Sequence, residues 1–263
     1  MDHLLDLSLY PLNETDGDAY QKLVQRCRAE LAVEGMFNLE GLVKREALQQ
    51  TVDALSPKFE NEAFTHKRKH NIYFKKDIPG LASDHPALME VETVNHTLCA
   101  DQLDGNPVLE IYKWQPLIRF LGDVMEKSEL HTMRDPLAQV NVMAYREGET
   151  LNWHFDRSEL TTTLLLQAPE KGGEFQYRTD LRSETNPNYE GVAKLLKSED
   201  PLMRSINPEP GTLNVFRGIN TPHRVTKIGG ARERIIAVFS YYDRPDVVFS
   251  PEEQIGFYGR TAD

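Results

Sequence analysis

His154 and Asp156 stand two residues apart, His223 follows much later, and Arg232 and Arg234 come shortly after it. Two imidazoles and one carboxylate from separate strands can occupy one face of an octahedral ion and leave three positions open. That donor set suits non-haem ferrous iron together with a bidentate cosubstrate and dioxygen. A zinc hydrolase can be built on the same three ligands. Such an enzyme has no ready use for an arginine that faces a barrel interior, where an unpaired charge is costly. A dicarboxylate cosubstrate provides the partner, and the planar guanidinium meets a carboxylate through two parallel hydrogen bonds. Alternation puts Arg232 and Arg234 on one face at the start of the apolar run Ile235 to Phe239, so either can enter the barrel. Nucleophilic serine chemistry has no support, because the chain contains no G-x-S-x-G.

These side chains need a frame. The first half of the chain reads as mainly helical, with apolar stripes over Asp18 to Val33, Lys44 to Leu55 and Leu109 to Met125. Gly35 is a natural stop for the first of them. Trp114 falls within the third stripe and reads as core. The second half changes character. Ala138 to Tyr145 alternates as a strand, with Val140, Val142 and Ala144 opposing Gln139, Asn141 and Met143. Thr161 to Leu166, Gly173 to Tyr177, Gly211 to Phe216 and Ile235 to Tyr241 follow as short β-rich runs between turn signals. Such a series predicts a sandwich or barrel rather than a parallel α/β sheet. The expected architecture is a mainly β jelly roll with flanking helices, in one domain over 1–263. Residues 1–135 supply helical support and leading strands, and 136–245 form the catalytic core. The polar stretch Thr179 to Pro210 reads as an insertion or lid with a short helix near Val192 to Leu196.

Composition narrows the partners. The chain has 263 residues and a net charge of −11, which disfavours nucleic-acid polymers and anionic membranes. No run approaches the ~20 apolar residues of a membrane helix, and the first residues lack the pattern of a signal peptide. Cys27 and Cys99 are the only cysteines and form no CxxC pair, which fits a reducing cytoplasm. A small-molecule substrate and a monomer or homodimer are expected.

The motifs W-H-F-D (153–156), P-G-T-L-N-V-F-R-G (210–218), H-R-V-T (223–226) and R-E-R-I-I-A-V-F-S-Y (232–241) resemble those of the Fe(II)/2-oxoglutarate-dependent oxygenases. With T-T-T-L-L-L-Q (161–167) and K-H-N-I-Y-F (69–74), the chain is most similar to the branch of free-amino-acid halogenases and their hydroxylase relatives. The resemblance spans roughly Arg68 to Tyr241. It implies a double-stranded β-helix, cupin-like, that uses Fe(II), 2-oxoglutarate and O2. His154, Asp156 and His223 would hold iron. Arg234 would bind the distal carboxylate of 2-oxoglutarate, with Arg232 as fallback, and Asn141 and Tyr145 match positions that help hold the cosubstrate. Arg68 and Asn71 lie in a segment that approaches substrate or cosubstrate, and Trp153 either lines the substrate pocket or packs. In halogenating members a small residue replaces the carboxylate and opens a site for chloride. This chain keeps Asp156, so hydroxylation is expected, on a small polar metabolite such as a free amino acid or a derivative. The alternatives are a nucleotide or larger natural product as substrate, a metal-dependent hydrolase, or a non-catalytic cupin-like binding protein.

Overall fold

Alternation along β5 (Val140–Tyr145) decides which way the main sheet faces. In the computed structural model, which describes residues 1–262, Val140, Val142 and Ala144 are fully buried against the helices. Met143 and Tyr145 turn the other way, into the space between two sheets, and Asn141 turns with them toward an adjoining cavity. Neighbouring strands repeat this division: Leu164, Leu213, Val215, Ile235 and Ala237 join the helix-side core. Alternate residues on the same strands, such as Thr163 and Ile236, face the interior.

The elements follow the chain as α1 (Asp18–Glu34), β1 (Met36–Leu39), α2 (Arg45–Asn61), β2 (Phe64–His70), β3 (Val91–Leu98), α3 (Pro107–Lys113), α4 (Gln115–Met125), β4 (His131–Thr132) and β5. They continue as β6 (Leu151–His154), β7 (Thr161–Gln167), β8 (Phe175–Tyr177), α5 (Tyr189–Leu196), β9 (Arg204–Ile206), β10 (Leu213–Phe216), β11 (His223–Val225), β12 (Arg234–Phe239), β13 (Tyr241–Tyr242) and α6 (Pro251–Tyr258). Seven strands form the major sheet, in the order β1-β10-β7-β12-β5-β3-β2, and four form the minor sheet, β6-β11-β8-β9. The pairings are antiparallel. This is the expected jelly roll, with β4 and β13 pairing beside it.

Helices back the major sheet. Tyr20, Leu23, Val24 and Cys27 bury one side of α1, which ends at Gly35 in the left-handed conformation with its N–H on the Leu31 carbonyl. The stripe from Leu109 to Met125 is two helices, not one. Pro116 has no N–H to offer the carbonyl of Tyr112, which instead accepts a hydrogen bond of 2.8 Å from the Tyr241 hydroxyl. Trp114 sits at the break in extended conformation and packs on the core.

The stretch 179–210 does not close over the space between the sheets. Its helix α5 packs on the turn Pro86–Leu88, and Val192 and Leu195 join Ile72, Tyr73, Trp153 and Phe155 in a small separate core. That core covers the outer face of β6. Only Ile206 and Pro208 of this stretch border the interior cavity that holds the metal-ligand candidates. Among the described residues no helix is long and apolar enough to cross a membrane.

Candidate metal and cosubstrate site

β6 and β11 are partners in the minor sheet, and their register sets His154 opposite His223. A bulge follows, since Val225 pairs with Leu151. It lets Leu151 and His154, three residues apart, both face the interior. Asp156 comes just past the strand, where its N–H donates to the carbonyl of Gly218 at 3.1 Å. His154 Nε2 lies 3.3 Å from Asp156 Oδ1, and His223 Nε2 lies 3.6 Å from Oδ2. One donor atom from each residue can be chosen so that all lie within 4.8 Å of one another, as a shared ion requires.

The surrounding bonds prepare these donors for a cation. His154 Nδ1 is 2.8 Å from the carbonyl of Asn152, and His223 Nδ1 is 3.1 Å from that of Thr221. A carbonyl only accepts, so each Nδ1 carries the proton and each Nε2 presents a lone pair toward Asp156. Burial pushes His223 down to about 4, which keeps it neutral at pH 7. Burial works to raise Asp156, but in the acid range the charge on His223, the bond to His154 and the Thr161 hydroxyl outweigh it and hold the carboxyl well below its usual range. Thr161 Oγ1 donates to Asp156 Oδ2 at 2.6 Å. A side chain at Gly218 would overlap that same oxygen, so the glycine leaves room for the carboxylate.

Two cavities meet at this cluster, and both are bordered by His154, Asn95, Met143 and Leu151. The first, of about 210 Å³, lies between the sheets and holds Asp156, His223, Arg234, Tyr145, Thr163 and Thr212 in its wall. Arg234 is 2% exposed, and no carboxylate pairs with it among the described residues. Burial pushes its guanidinium down to about 10, with Tyr145 opposing that shift. Thr212 Oγ1 is buried without a hydrogen-bond partner in the same wall. A guanidinium and a hydroxyl lacking partners, in the wall that also holds the candidate metal ligands, can receive a carboxylate.

The second cavity, of about 260 Å³, opens between β2, β3 and the C-terminal helix α6. His66, Arg68 and His70 project into it from alternate positions of β2, with Phe257 and Tyr258 across from them. Arg68 lies over the Phe74 ring at 4.6 Å.

The residues expected from the sequence divide between these places. Arg234 and Tyr145 border the first cavity, opposite each other in the register of β12 and β5. Arg232 is exposed and donates to the carbonyl of Pro169. It precedes β12, so the strand's alternation does not reach it. Asn141 borders the second cavity, not the first. Its amide donates to the carbonyls of Leu137 and Val140 and its oxygen accepts from Tyr258. Arg68 also borders the second cavity, whereas Asn71 and Trp153 border neither. Asn71 closes the turn after β2: its oxygen accepts from the N–H of Tyr73 and of Lys75, and its amide donates to the Lys75 carbonyl. Trp153 neighbours His154 on a strand, so it points to the opposite face and packs in the α5 core, under Arg224 at 5.0 Å. Thr212, Thr163 and Asn95 escaped the sequence reading. The alternation of Thr161, Thr163 and Leu165 was available to find one of them; nothing marked Thr212 beyond its place after a Pro-Gly turn.

The family model described as Halogenase D matches residues 19–250. No curated protein matches the chain. Among solved structures, a prolyl-4-hydroxylase of Pseudomonas putida superposes with a TM-score of 0.53 at 12% identity, covering 84% of this chain and 99% of that one. AviO1 of Streptomyces viridochromogenes Tue57 gives 0.56 at 12% identity, over 85% and 96% of the two chains. The non-haem α-ketoglutarate-dependent epimerase SnoN from nogalamycin biosynthesis gives 0.53 at 12% identity, over 85% and 83%. The chain belongs to the Halogenase D family and has the fold of the Fe(II)/2-oxoglutarate oxygenases, with His154, Asp156 and His223 grouped so that they could hold a metal ion.

Proposed function

We propose that the protein is an Fe(II)/2-oxoglutarate-dependent hydroxylase that oxidises an unactivated C–H bond of a small polar metabolite, an amino acid or a derivative of one. His154, Asp156 and His223 would hold the metal, and Arg234 would pair with the distal carboxylate of 2-oxoglutarate, with Thr212 as a second donor. The observation that carries this reading is the placement of an unpaired, buried Arg234 in the same cavity wall as three converging metal donors. When bound, the iron, cosubstrate and O2 supply an oxidant strong enough to break an aliphatic C–H bond.

The protein's part is orientation. The Nδ1 bonds of the two histidines fix their rings, and Thr161 fixes the carboxylate between them. Arg234 and Tyr145 lie deep between the sheets, so a dicarboxylate anchored there would extend toward the histidines. His154 stands at the junction of the cavities, which suits a substrate in the second cavity that brings one carbon to the metal. A hydrolase built on the same triad would leave Arg234 without a function.

The family's description favours a second reading, halogenation. It requires an open coordination position where a halide can bind. The presence of Asp156 at that position, held by Thr161 and accommodated by Gly218, supports hydroxylation instead. The deciding assay is aerobic turnover with Fe(II), ascorbate, 2-oxoglutarate and chloride against a panel of metabolites. Succinate release with a product heavier by one oxygen supports the proposal. A chlorine isotope pattern overturns the hydroxylase assignment, and succinate release that does not depend on Fe(II) overturns the whole reading.

A further inference from the structure

The second cavity carries a charge pattern that the fold does not require. Its wall contains Arg68, His66 and His70, with His154 at the junction. It contains no aspartate or glutamate among the described residues, although the chain has 41 acidic residues against 30 basic ones. Arg68 is half-buried, and no carboxylate or hydrogen-bond acceptor pairs with its guanidinium. The exposed Lys67, next on the same strand, pairs with Glu92 at 3.1 Å. Arg157, on the far side, is satisfied by Glu253 at 3.2 Å and by the Phe257 ring at 5.4 Å. Burial, and then the nearness of Arg157, push Arg68 down from its ordinary value. His70 is held by the Thr93 hydroxyl at 2.9 Å and the Asn71 carbonyl at 3.1 Å, and burial keeps its proton affinity low. Its ring stacks on Phe74, the same ring that carries Arg68. Arg68 is therefore the one permanent charge in this wall, aimed at open space and backed by an aromatic face.

We infer that the second cavity selects a small organic anion: Arg68 pairs with its carboxylate, and the molecule carries no free ammonium group, because the wall offers no carboxylate to receive one. This deepens the reading above, taking the second cavity as the substrate's. Within the amino-acid derivatives it points to those whose amine is acylated or absent. A zwitterion would place its ammonium among imidazoles and a guanidinium with only neutral oxygens, such as those of Asn95, Thr97 and Ser240, to accept from it. The rest of the wall is apolar enough to hold a short aliphatic chain, with Phe249, Phe257, Met143 and Leu151 around it.

The test compares four probes on one five-carbon chain: pentanoate, N-acetylnorvaline, norvaline and pentylamine. Dissociation constants are measured by calorimetry on the full chain loaded with Zn(II) and saturating 2-oxoglutarate, so that Arg234 is already occupied. The two anions are expected to bind, norvaline roughly tenfold or more weakly than N-acetylnorvaline, and pentylamine not at all. Arg68→Gln should weaken both anions by about tenfold or more and erase the ranking, whereas Arg68→Lys should recover part of it. The ranking in the wild-type protein stands even if a variant folds poorly. Norvaline binding as well as its acetylated form, anion affinity untouched by Arg68→Gln in a folded variant, or no binding by either anion overturns the inference. Formation of the visible charge-transfer band of Fe(II) with 2-oxoglutarate is followed separately under nitrogen. If the band is absent while the ranking holds, the oxygenase reading falls and the anion selectivity remains. If it forms and the ranking reverses, only the selectivity falls.

Discussion

Replacing Arg234 with methionine should make the empty protein more stable and the cosubstrate complex weaker, two effects of opposite sign from one buried charge. Burial lowers this guanidinium from 12.5 to about 10, and at about 1.4 kcal/mol for each pH unit the charged form costs the folded state roughly 3 kcal/mol. Solvent entering the cavity would screen part of that cost, so relief of about 1–3 kcal/mol is expected. For a chain of this size that raises Tm by about 2–4 °C per kcal/mol. With 2-oxoglutarate at about 100 times its Kd, the wild-type protein should gain about 2.7 kcal/mol. Losing a buried, charge-assisted pair costs about 3 kcal/mol of binding, on the order of 100-fold in Kd. At the same ligand concentration the variant would then gain only about 0.4 kcal/mol. Thermal melts with Zn(II), with and without 2-oxoglutarate, read both effects. Arg232→Met, on an exposed side chain bonded to a loop carbonyl, should change neither beyond about 0.5 kcal/mol. Thr212→Val should follow Arg234→Met on a smaller scale, stabilising the empty protein by about 1 kcal/mol and weakening the cosubstrate several-fold. If Arg234→Met melts below wild type and is still stabilised fully by 2-oxoglutarate, the cosubstrate site lies elsewhere.

Three further outcomes follow if His154, Asp156 and His223 hold the metal. Thr161→Val removes the donor to Asp156 Oδ2 and should lower Fe(II) affinity by about 10- to 100-fold, measured anaerobically by competition with a chelating dye; unchanged affinity would remove Thr161 from the site's design. Gly218→Ala would drive its new methyl into Asp156, so metal binding should fall sharply while far-UV circular dichroism stays native; retained metal affinity would show that the carboxylate can shift freely. In the metal-free protein His223 titrates near 4 against about 6.5 unfolded, so the unfolded chain takes up the proton first as pH falls. Its stability contribution is complete above about pH 6.5 and is lost between there and about 4, by roughly 3 kcal/mol, with Asp156 adding loss in the same direction lower in the carboxylate range. A Tm that stays flat from pH 7 to pH 5 after chelation would contradict this.

The metal-ligand candidates were legible from the close spacing of His154 and Asp156 at the end of a β-rich run, and from the Pro-containing turn that feeds His223 into the next strand. The fold class was legible in the strands themselves: Val140, Val142 and Ala144, at alternate positions of one run, and Leu164 and Leu166 of another point to the helices, a period of two that a half-buried strand declares in its sequence. The bulge between β6 and β11 was not legible, since it depends on pairing across some seventy residues, yet it aims His154. β2 was hidden by its own composition. Phe64–His70 alternates between exposed and inward residues, but its inward side chains include His66, Arg68 and His70, and a hydrophobicity pattern cannot see a strand whose inner face is polar. Trp153 shows the converse: a large aromatic beside a metal ligand invites a pocket role, and strand geometry sends it to the other face.

Charge ties the two cavities together. A ferrous ion with Asp156 and Arg234 around it leaves the enclosed region at a net +2, and Arg68 adds one more beyond His154. His66 and His70 add nothing near neutral pH, because burial lowers both. Doubly charged 2-oxoglutarate brings the total to +1, and a monoanionic substrate brings it to zero. A desolvated interior tolerates a neutral complex far better than a charged one. A zwitterion leaves the excess charge in place, and an ammonium ion enlarges it. On this argument each guanidinium destabilises the empty protein and is matched only when its own ligand arrives. Saturating 2-oxoglutarate should therefore suppress the affinity of pentanoate only through the charge it removes at Arg234, by a margin that shrinks as salt is added. An affinity for pentanoate that rises with 2-oxoglutarate would show that positioning of the metal, and not its charge, governs entry to the second cavity.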